Sequence, residues 1–251
     1  MRWPSSMRSG SRRPVLRNAL ASVGLGRLVC FSRKLRHPIR RGDLVLDIGS
    51  GGDPHPRADV LLERYVDSGY HRTVRFRRSA PVVIADIAAM PFRDGAFDYS
   101  ICAHVLEHVE DPAGAAREIT RVSKAGYVET PSAIHERFWP QAQHVWMVSE
   151  DDGGLVFDAK TSAHGDLGLV TFFEGRWSRD RPLMNWLWRY EQEFFIEHMW
   201  QGSLVVEVNG VPRRWLTEAE IDELGLLLGD RNADSPRKRQ LYEWLSRVRY
   251  G

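Results

Sequence analysis

The stretch from residue 44 to residue 52 reads Leu-Val-Leu-Asp-Ile-Gly-Ser-Gly-Gly. A short apolar run that ends in an acid and several glycines predicts a buried strand leading into a tight turn. Glycine allows a backbone to adopt positive φ and to approach a ligand closely. We therefore interpret the turn as part of a ligand site, with a ligand-free tight turn as the alternative.

Four further short apolar runs follow this one along the chain. They are 60–62, which ends in Glu63; 81–85, which ends in Asp86; 97–102; and 127–129. Short buried strands separated by loops or helices predict an α/β protein with a doubly wound, mostly parallel sheet. In such sheets a ligand binds beyond the carboxyl ends of the strands, where the polar residues of these runs should meet.

Other segments predict further elements. Asp111 and Pro112 favour a helix start, and Gly126 follows its expected end. The runs 144–148 and 155–161 flank an acidic, glycine-containing stretch and predict a β-hairpin. Residues 138–200 hold thirteen Phe, Trp and Tyr, from which we expect a lid and an acceptor pocket.

Composition limits the class of protein. Hydrophobic residues make up 43% of 251, which is enough for one large domain with a buried core. The two cysteines, Cys30 and Cys102, fit a reducing compartment, and we expect a cytoplasmic protein. Residues 1–41 hold eleven Lys and Arg and no acid, so this arm could contact an anionic surface or a membrane periphery, or simply be solvated.

Taken together, three segments resemble class I S-adenosylmethionine-dependent methyltransferases. Residues 45–51 resemble the first motif of that family, and residues 86–98 resemble its segment after the third strand. Residues 104–112, His-Val-Leu-Glu-His-Val-Glu-Asp-Pro, are similar to the motif after the fourth strand in the type 11 subgroup, to which quinone-biosynthesis enzymes are related. The resemblance covers about residues 42–131.

The resemblance implies a Rossmann-like sheet of seven strands and a division of the chain. Residues 1–41 would be a basic arm with a helix, and 42–251 the methyltransferase domain. Within that domain, 42–131 would be the cofactor-binding core, 132–215 the acceptor pocket and lid, and 216–251 the C-terminal helices.

The resemblance also implies roles for individual residues toward S-adenosyl-L-methionine. Gly49 and Gly51 would face its methionine part, with Asp47 near the amino group. Glu63 would accept hydrogen bonds from the ribose hydroxyls. The remaining implied contacts are Asp86 with the adenine amino group, Ile87 with the adenine ring, and His104 near the sulfonium.

One departure from the family concerns residues 53–59. They contain two prolines in place of the helix that usually precedes the second strand. The ribose acid is therefore open between Glu63, Asp59 and Asp67.

If the acceptor holds its proton at neutral pH, a general base is needed. The candidates are His104, which we favour, followed by His108, His135 and His144, because imidazole titrates near pH 7.

An alternative function is zinc hydrolysis. Residues 104–108 fit H-x-x-E-H, in which His104 and His108 would bind the metal and Glu107 would act as base. The motif follows a buried strand directly, whereas such enzymes place it inside a long helix. We therefore favour a methyltransferase for a small apolar, glycan or lipid-linked acceptor over a hydrolase. The other alternative is a protein of this fold that binds the cofactor or a partner without catalysis. A nucleic-acid methyltransferase is disfavoured because the sequence has no Asn/Asp-Pro-Pro-Tyr type motif.

Overall fold

The computed structural model of the chain describes residues 37–66, 76–138, 140–141, 143–160 and 180–212. The helical part of the basic arm, Asp67 and the C-terminal helices expected over 216–251 lie outside the described residues.

A six-stranded sheet forms the centre of the described part. Its strands are β1 (Val45–Ile48), β2 (Val60–Glu63), β3 (Val82–Ile84), β4 (Tyr99–Ala103), β5 (Ala125–Pro131) and β8 (Phe195–Gln201). Their order is β3-β2-β1-β4-β5-β8. The first five run parallel and β8 pairs antiparallel with β5, which makes the sheet Rossmann-like and mostly parallel as predicted.

Within the described residues this sheet has six strands, and the seventh stays a prediction. Strand β8 was not predicted. Its sequence is Phe-Ile-Glu-His-Met-Trp-Gln, in which polar residues interrupt the apolar ones. An antiparallel strand at the end of a sheet is less buried than a parallel one in the middle, so its sequence carries no uniform apolar run.

A second sheet has three strands, β6 (Trp146–Asp151), β7 (Gly154–Ala159) and β9 (Val206–Asn209). Strands β6 and β7 form the predicted hairpin, and β9 pairs parallel with β7. Trp146 and Phe157 are fully buried, so these two aromatic residues belong to the core instead of a lid.

The helices are short. They are α1 (Pro112–Val122), α2 (Ala133–Phe138), α3 (Arg181–Arg189) and α4 (Glu191–Phe194), with a 3-10 turn at Leu106–His108. Asp111 caps α1 as predicted by accepting a hydrogen bond from the Gly114 N–H. Helix α1 ends at Val122, so Gly126 lies inside β5 and does not terminate the helix.

The core holds the strand ends in place. Leu46 and Ile48 of β1 pack in one cluster with the buried face of α1 and with Trp146 and Phe157 of the small sheet. No helix forms between β1 and β2, where the chain makes only turns. Asp59 closes this connection by accepting a hydrogen bond from the Val45 N–H at 2.8 Å.

Candidate cofactor and active site

A cavity of about 590 Å³ lies at the carboxyl ends of β1, β2, β3 and β4. This is the position expected for the ligand of a doubly wound sheet, and the volume is in the usual range for a cofactor site. Seven of the predicted site residues line it: Gly49, Gly51, Glu63, Asp86, Ile87, His104 and the candidate base His108.

The glycine turn closes one side of the cavity. Gly49 has φ of +66° and Gly51 has φ of +54°, a region that other residues rarely adopt. A Cβ at Gly49 would lie 2.4 Å from a methyl carbon of Val105, so the turn packs directly against the segment that follows β4. Only glycine fits this turn, whose Gly49 and Gly51 N–H groups donate to the Leu62 carbonyl oxygen and to Glu63 Oε1.

Asp47, by contrast, is not among the residues that line the cavity. Its side chain is buried and accepts a hydrogen bond from the His55 N–H at 2.7 Å. The structure therefore places Asp47 beneath the turn, where it holds the 53–59 connection in position.

Glu63 is buried at the end of β2 and reaches the glycine turn. Its Oε1 accepts hydrogen bonds from the Gly51 N–H at 2.6 Å and from the Ser50 hydroxyl at 3.0 Å. Asp59 points instead at β1, so of the described acids proposed for the ribose only Glu63 lines the cavity.

Asp86 follows β3 on the next side of the cavity. Its Oδ1 accepts a hydrogen bond from the Ala88 N–H at 2.9 Å, and its Oδ2 lies 2.7 Å from an Arg64 guanidinium nitrogen. Ile87 is buried beside it and gives the cavity an apolar wall.

His104, directly after β4, is the one described residue other than glycine with positive φ, at +56°. Such strained backbone is concentrated at functional sites. The ring lies between two carboxylates: Nε2 is 3.0 Å from Glu129 Oε1 and Nδ1 is 3.4 Å from Glu107 Oε1.

These carboxylates control the charge of His104. Burial alone would lower the pKa of the ring, but Glu107 and Glu129 outweigh it and raise the pKa of His104 to about 9. The contacts with Glu107 and Glu129 fix the position of the His104 ring, and its role as a base stays a prediction.

Glu107 is 1% exposed and lies among three imidazoles. Besides His104, the Nε2 atoms of His108 and His144 are each 4.0 Å from its Oε1. Burial would raise the pKa of Glu107, but the imidazoles of His104, His108 and His144 lower it overall.

The geometry differs from that of the zinc-hydrolase alternative. His104 precedes the 3-10 turn and His108 ends it, so the two do not share a helix face. The close group of ligand atoms within the described residues is Glu107, His108 and His144.

Behind His144 lies a pair of charges that sequence reasoning missed. Glu136 accepts a hydrogen bond from His144 Nδ1 through one oxygen and from Lys160 Nζ at 2.6 Å through the other. Burial would raise the pKa of Glu136, but His135, His144 and Lys160 lower it overall. Neither Glu136 nor Lys160 belongs to a sequence motif. They meet because the fold places the end of β7 next to α2.

Among known protein families, residues 46–128 match the model described as a methyltransferase domain. The match covers about a third of the chain. S-adenosyl-L-methionine is the cofactor that this match implies. The matched segment carries both the glycine turn and residues 104–112.

An uncharacterised protein of Methanocaldococcus jannaschii is 35% identical over 82 residues. The match covers 32% of this chain and 36% of that protein, so the chain spans about a third of the curated relative that it matches.

Solved structures of the same general fold also match. A chain from the complex of the Haloferax volcanii Trm112 methyltransferase activator with a methyltransferase has 16% identity and a TM-score of 0.44, over 74% of this chain and 97% of that chain. A methyltransferase dependent on S-adenosylmethionine from Mesorhizobium loti has 15% identity and a TM-score of 0.38, over 67% and 94%. Such scores are too low to transfer a function.

Within the described residues, no helix has both the length and the apolar character needed to cross a bilayer.

Proposed function

We propose that this protein transfers the methyl group of S-adenosyl-L-methionine to a small-molecule acceptor. The observation that carries the proposal is the cavity at the strand ends, which a glycine turn, a ribose-type acid and an adenine-type acid all line. The methyltransferase domain over residues 46–128 supports the same activity.

In this proposal the chain binds the cofactor from three sides. The backbone of the glycine turn faces the methionine part, and Asp47 supports the turn by accepting a hydrogen bond from the His55 N–H. Glu63 Oε2 accepts from the ribose while Oε1 keeps the turn in place. Asp86 and Ile87 contact the adenine edge and ring.

The bound cofactor supplies a methyl group that its sulfonium already activates. The protein then has to align the acceptor with that methyl group and exclude water. We assign the alignment to the segment 104–112, whose first residue is fixed by Glu129 and Glu107. His108 lines the cavity wall, and because its Nδ1 faces the Gln143 carbonyl oxygen, only its Nε2 is placed to accept a proton, in the metal-free protein.

The acceptor in this proposal is flat and apolar, as in the quinone-related subgroup, or carries a sugar or lipid. The support is the group of aromatic residues near α3, where Trp186 and Tyr190 are exposed with ring centroids 5.1 Å apart. Exposed aromatic rings suit stacking on a planar acceptor.

The basic arm is the part of the chain that we expect to contact an anionic surface.

Cofactor binding is the first test. Titration calorimetry with S-adenosylhomocysteine should give one site. Gly49→Ala should weaken binding, whereas Gly95→Ala, at a glycine with positive φ that does not line the cavity, should leave it intact. Absence of binding to the unmodified protein would overturn the proposal.

Turnover is the second test. We would supply S-adenosylmethionine together with planar phenols, glycosides or lipid-linked compounds and measure the S-adenosylhomocysteine released. At least one of these acceptor classes should increase the release. Cofactor binding without release for any of these classes would favour the non-catalytic alternative. Hydrolase activity receives no support from the described site.

A further inference from the structure

Three side chains next to the cavity bring their ligand atoms together in the interior. Glu107, His108 and His144 each offer one atom within 4.8 Å of the other two. The three are buried or nearly so, and only His108 also lines the cavity. Two imidazoles and one carboxylate are a donor set that divalent transition metals use in proteins.

The second ring nitrogen of each histidine is held by an acceptor. His108 Nδ1 lies 3.2 Å from the Gln143 carbonyl oxygen, which can only accept a hydrogen bond. His144 Nδ1 donates to the Glu136 carboxylate. Each histidine therefore turns its Nε2 toward Glu107, at 4.0 Å. Metal-bound histidines have this outer arrangement, with the other N–H donated to a carbonyl or a carboxylate.

The Glu107 carboxylate itself is the second, independent observation. It is 1% exposed, and neither of its oxygens accepts a hydrogen bond from any described residue. The His104 contact of 3.4 Å is long and leaves the requirement of a buried carboxylate largely unmet. Buried carboxylates are stable when they are paired closely or coordinate a metal.

We propose that Glu107, His108 and His144 bind a divalent transition-metal ion, for which Zn²⁺ is the best match, in the wall of the cofactor cavity. Two imidazole ligands favour zinc over magnesium or calcium, which prefer oxygen ligands. Three protein ligands leave one tetrahedral position for water or for a donor atom of the acceptor.

The adjustment needed is small. Ligand atoms of a tetrahedral zinc site with bonds of about 2.05 Å are about 3.3 Å apart. The Nε2 atoms lie 4.0 Å from Glu107 Oε1, so each ring has to approach the carboxylate by less than 1 Å. All three ligand atoms lie within 4.8 Å of one another, so no pair has to close by more than about 1.5 Å. Lys160, bound to Glu136 at 2.6 Å, keeps that outer carboxylate ionised when His144 donates to it.

The test uses the full chain purified without a histidine tag. After equilibration with micromolar Zn²⁺ and gel filtration, elemental analysis should give about one equivalent of zinc. Replacement by Co²⁺ should give visible absorption bands of a four- or five-coordinate nitrogen–oxygen site. Both readouts are independent of methyl transfer and of cofactor binding.

Variants then locate the site. Glu107→Gln, His108→Gln and His144→Gln should each weaken zinc binding at least tenfold. His198→Gln on β8, whose ring pairs with Glu150 and does not line the cavity, is the matched control and should not. Circular dichroism and urea unfolding check that each variant is folded. A zinc content of about zero equivalents in the unmodified protein would overturn the proposal. Equal zinc affinity in all four variants would overturn it as well.

Discussion

At the scale of single residues, Gly49 combines two requirements that can be separated. Its φ of +66° costs any other residue about 1–2 kcal/mol, and a Cβ there would also collide with Val105. Gly95 has nearly the same φ, +61°, but nothing within 4 Å of an added Cβ.

We expect Gly95→Ala to lower the free energy of unfolding by about 1 kcal/mol and to leave S-adenosylhomocysteine affinity unchanged. Gly49→Ala should lose more stability and at least tenfold in affinity, because the turn has to move away from Val105. Urea unfolding and calorimetry measure the two effects. If Gly49→Ala and Gly95→Ala lose the same stability, then the clash between the new Cβ and Val105 is relieved without an energetic cost.

The ribose acid is a second question at this scale. Glu63→Gln keeps one oxygen for the glycine turn but replaces the other acceptor with an amide, so S-adenosylhomocysteine affinity should fall about tenfold. Asp59→Asn serves as the control, because its carboxylate serves the Val45 N–H instead. Stronger loss in the Asp59 variant would move the ribose contact to that residue.

At the scale of elements, one ion pair fixes the loop after β3 to helix α1. Arg121 donates to the carbonyl oxygens of Met90 and Phe92 and to the Glu118 carboxylate, which in turn accepts from the Met90 N–H. This loop begins with Asp86 and Ile87, so the adenine side of the cavity depends on the contact.

The pH dependence of stability should report this ion pair. Arg121 lowers the pKa of Glu118 in the folded state, so the pair stabilises the fold above the unfolded pKa of about 4.3 and is lost as pH falls through the folded value. Glu118→Gln should cost about 1–2 kcal/mol at pH 7 and much less near pH 3.

The measurement is urea unfolding from pH 7 to pH 3, with exposed Glu207→Gln as the control. A penalty for Glu118→Gln that stays constant over this range would show that the carboxylate charge does not contribute.

The sequence predicted those elements that have a local cause. The strands β1 to β5 are short apolar runs, the start of α1 has its Asp111 cap, and the hairpin has its turn residues. The strand β8 and the pairing of β9 with β7 were missed because both depend on partners distant in sequence.

The candidate site divides in the same way. Gly49, Glu63 and Asp86 follow strands, so their place at one edge of the sheet could be predicted. The cluster around Glu107 could not, because His144, Glu136 and Lys160 reach it from three other segments and no spacing connects them.

At the scale of the whole molecule, Trp146 joins the small sheet to the cavity wall. It is fully buried, and its Nε1 donates to the Val109 carbonyl oxygen at 2.6 Å. The same strand region carries His144, so the position of this wall depends on the small sheet.

Trp146→Phe should destabilise the protein by about 2–4 kcal/mol, because it leaves a buried carbonyl without its donor and removes part of the packed ring. It should also weaken S-adenosylhomocysteine binding. Phe157→Leu disturbs the adjacent packing without removing a hydrogen bond and is the control. Urea unfolding with both variants separates the two causes, and equal effects on binding would exclude a special role for the Val109 contact.

The turns that replace a helix between β1 and β2 have a consequence for charge recognition. A helix beginning at that point would place the positive end of its dipole against the carboxylate of the methionine moiety. Here a glycine turn takes that place, and the N–H groups of Gly49 and Gly51 already donate within the protein, so the site should recognise its ligand mainly by shape. Decarboxylated S-adenosylmethionine should therefore bind no more than about tenfold less tightly than the intact compound, and competition calorimetry would measure how small that preference is.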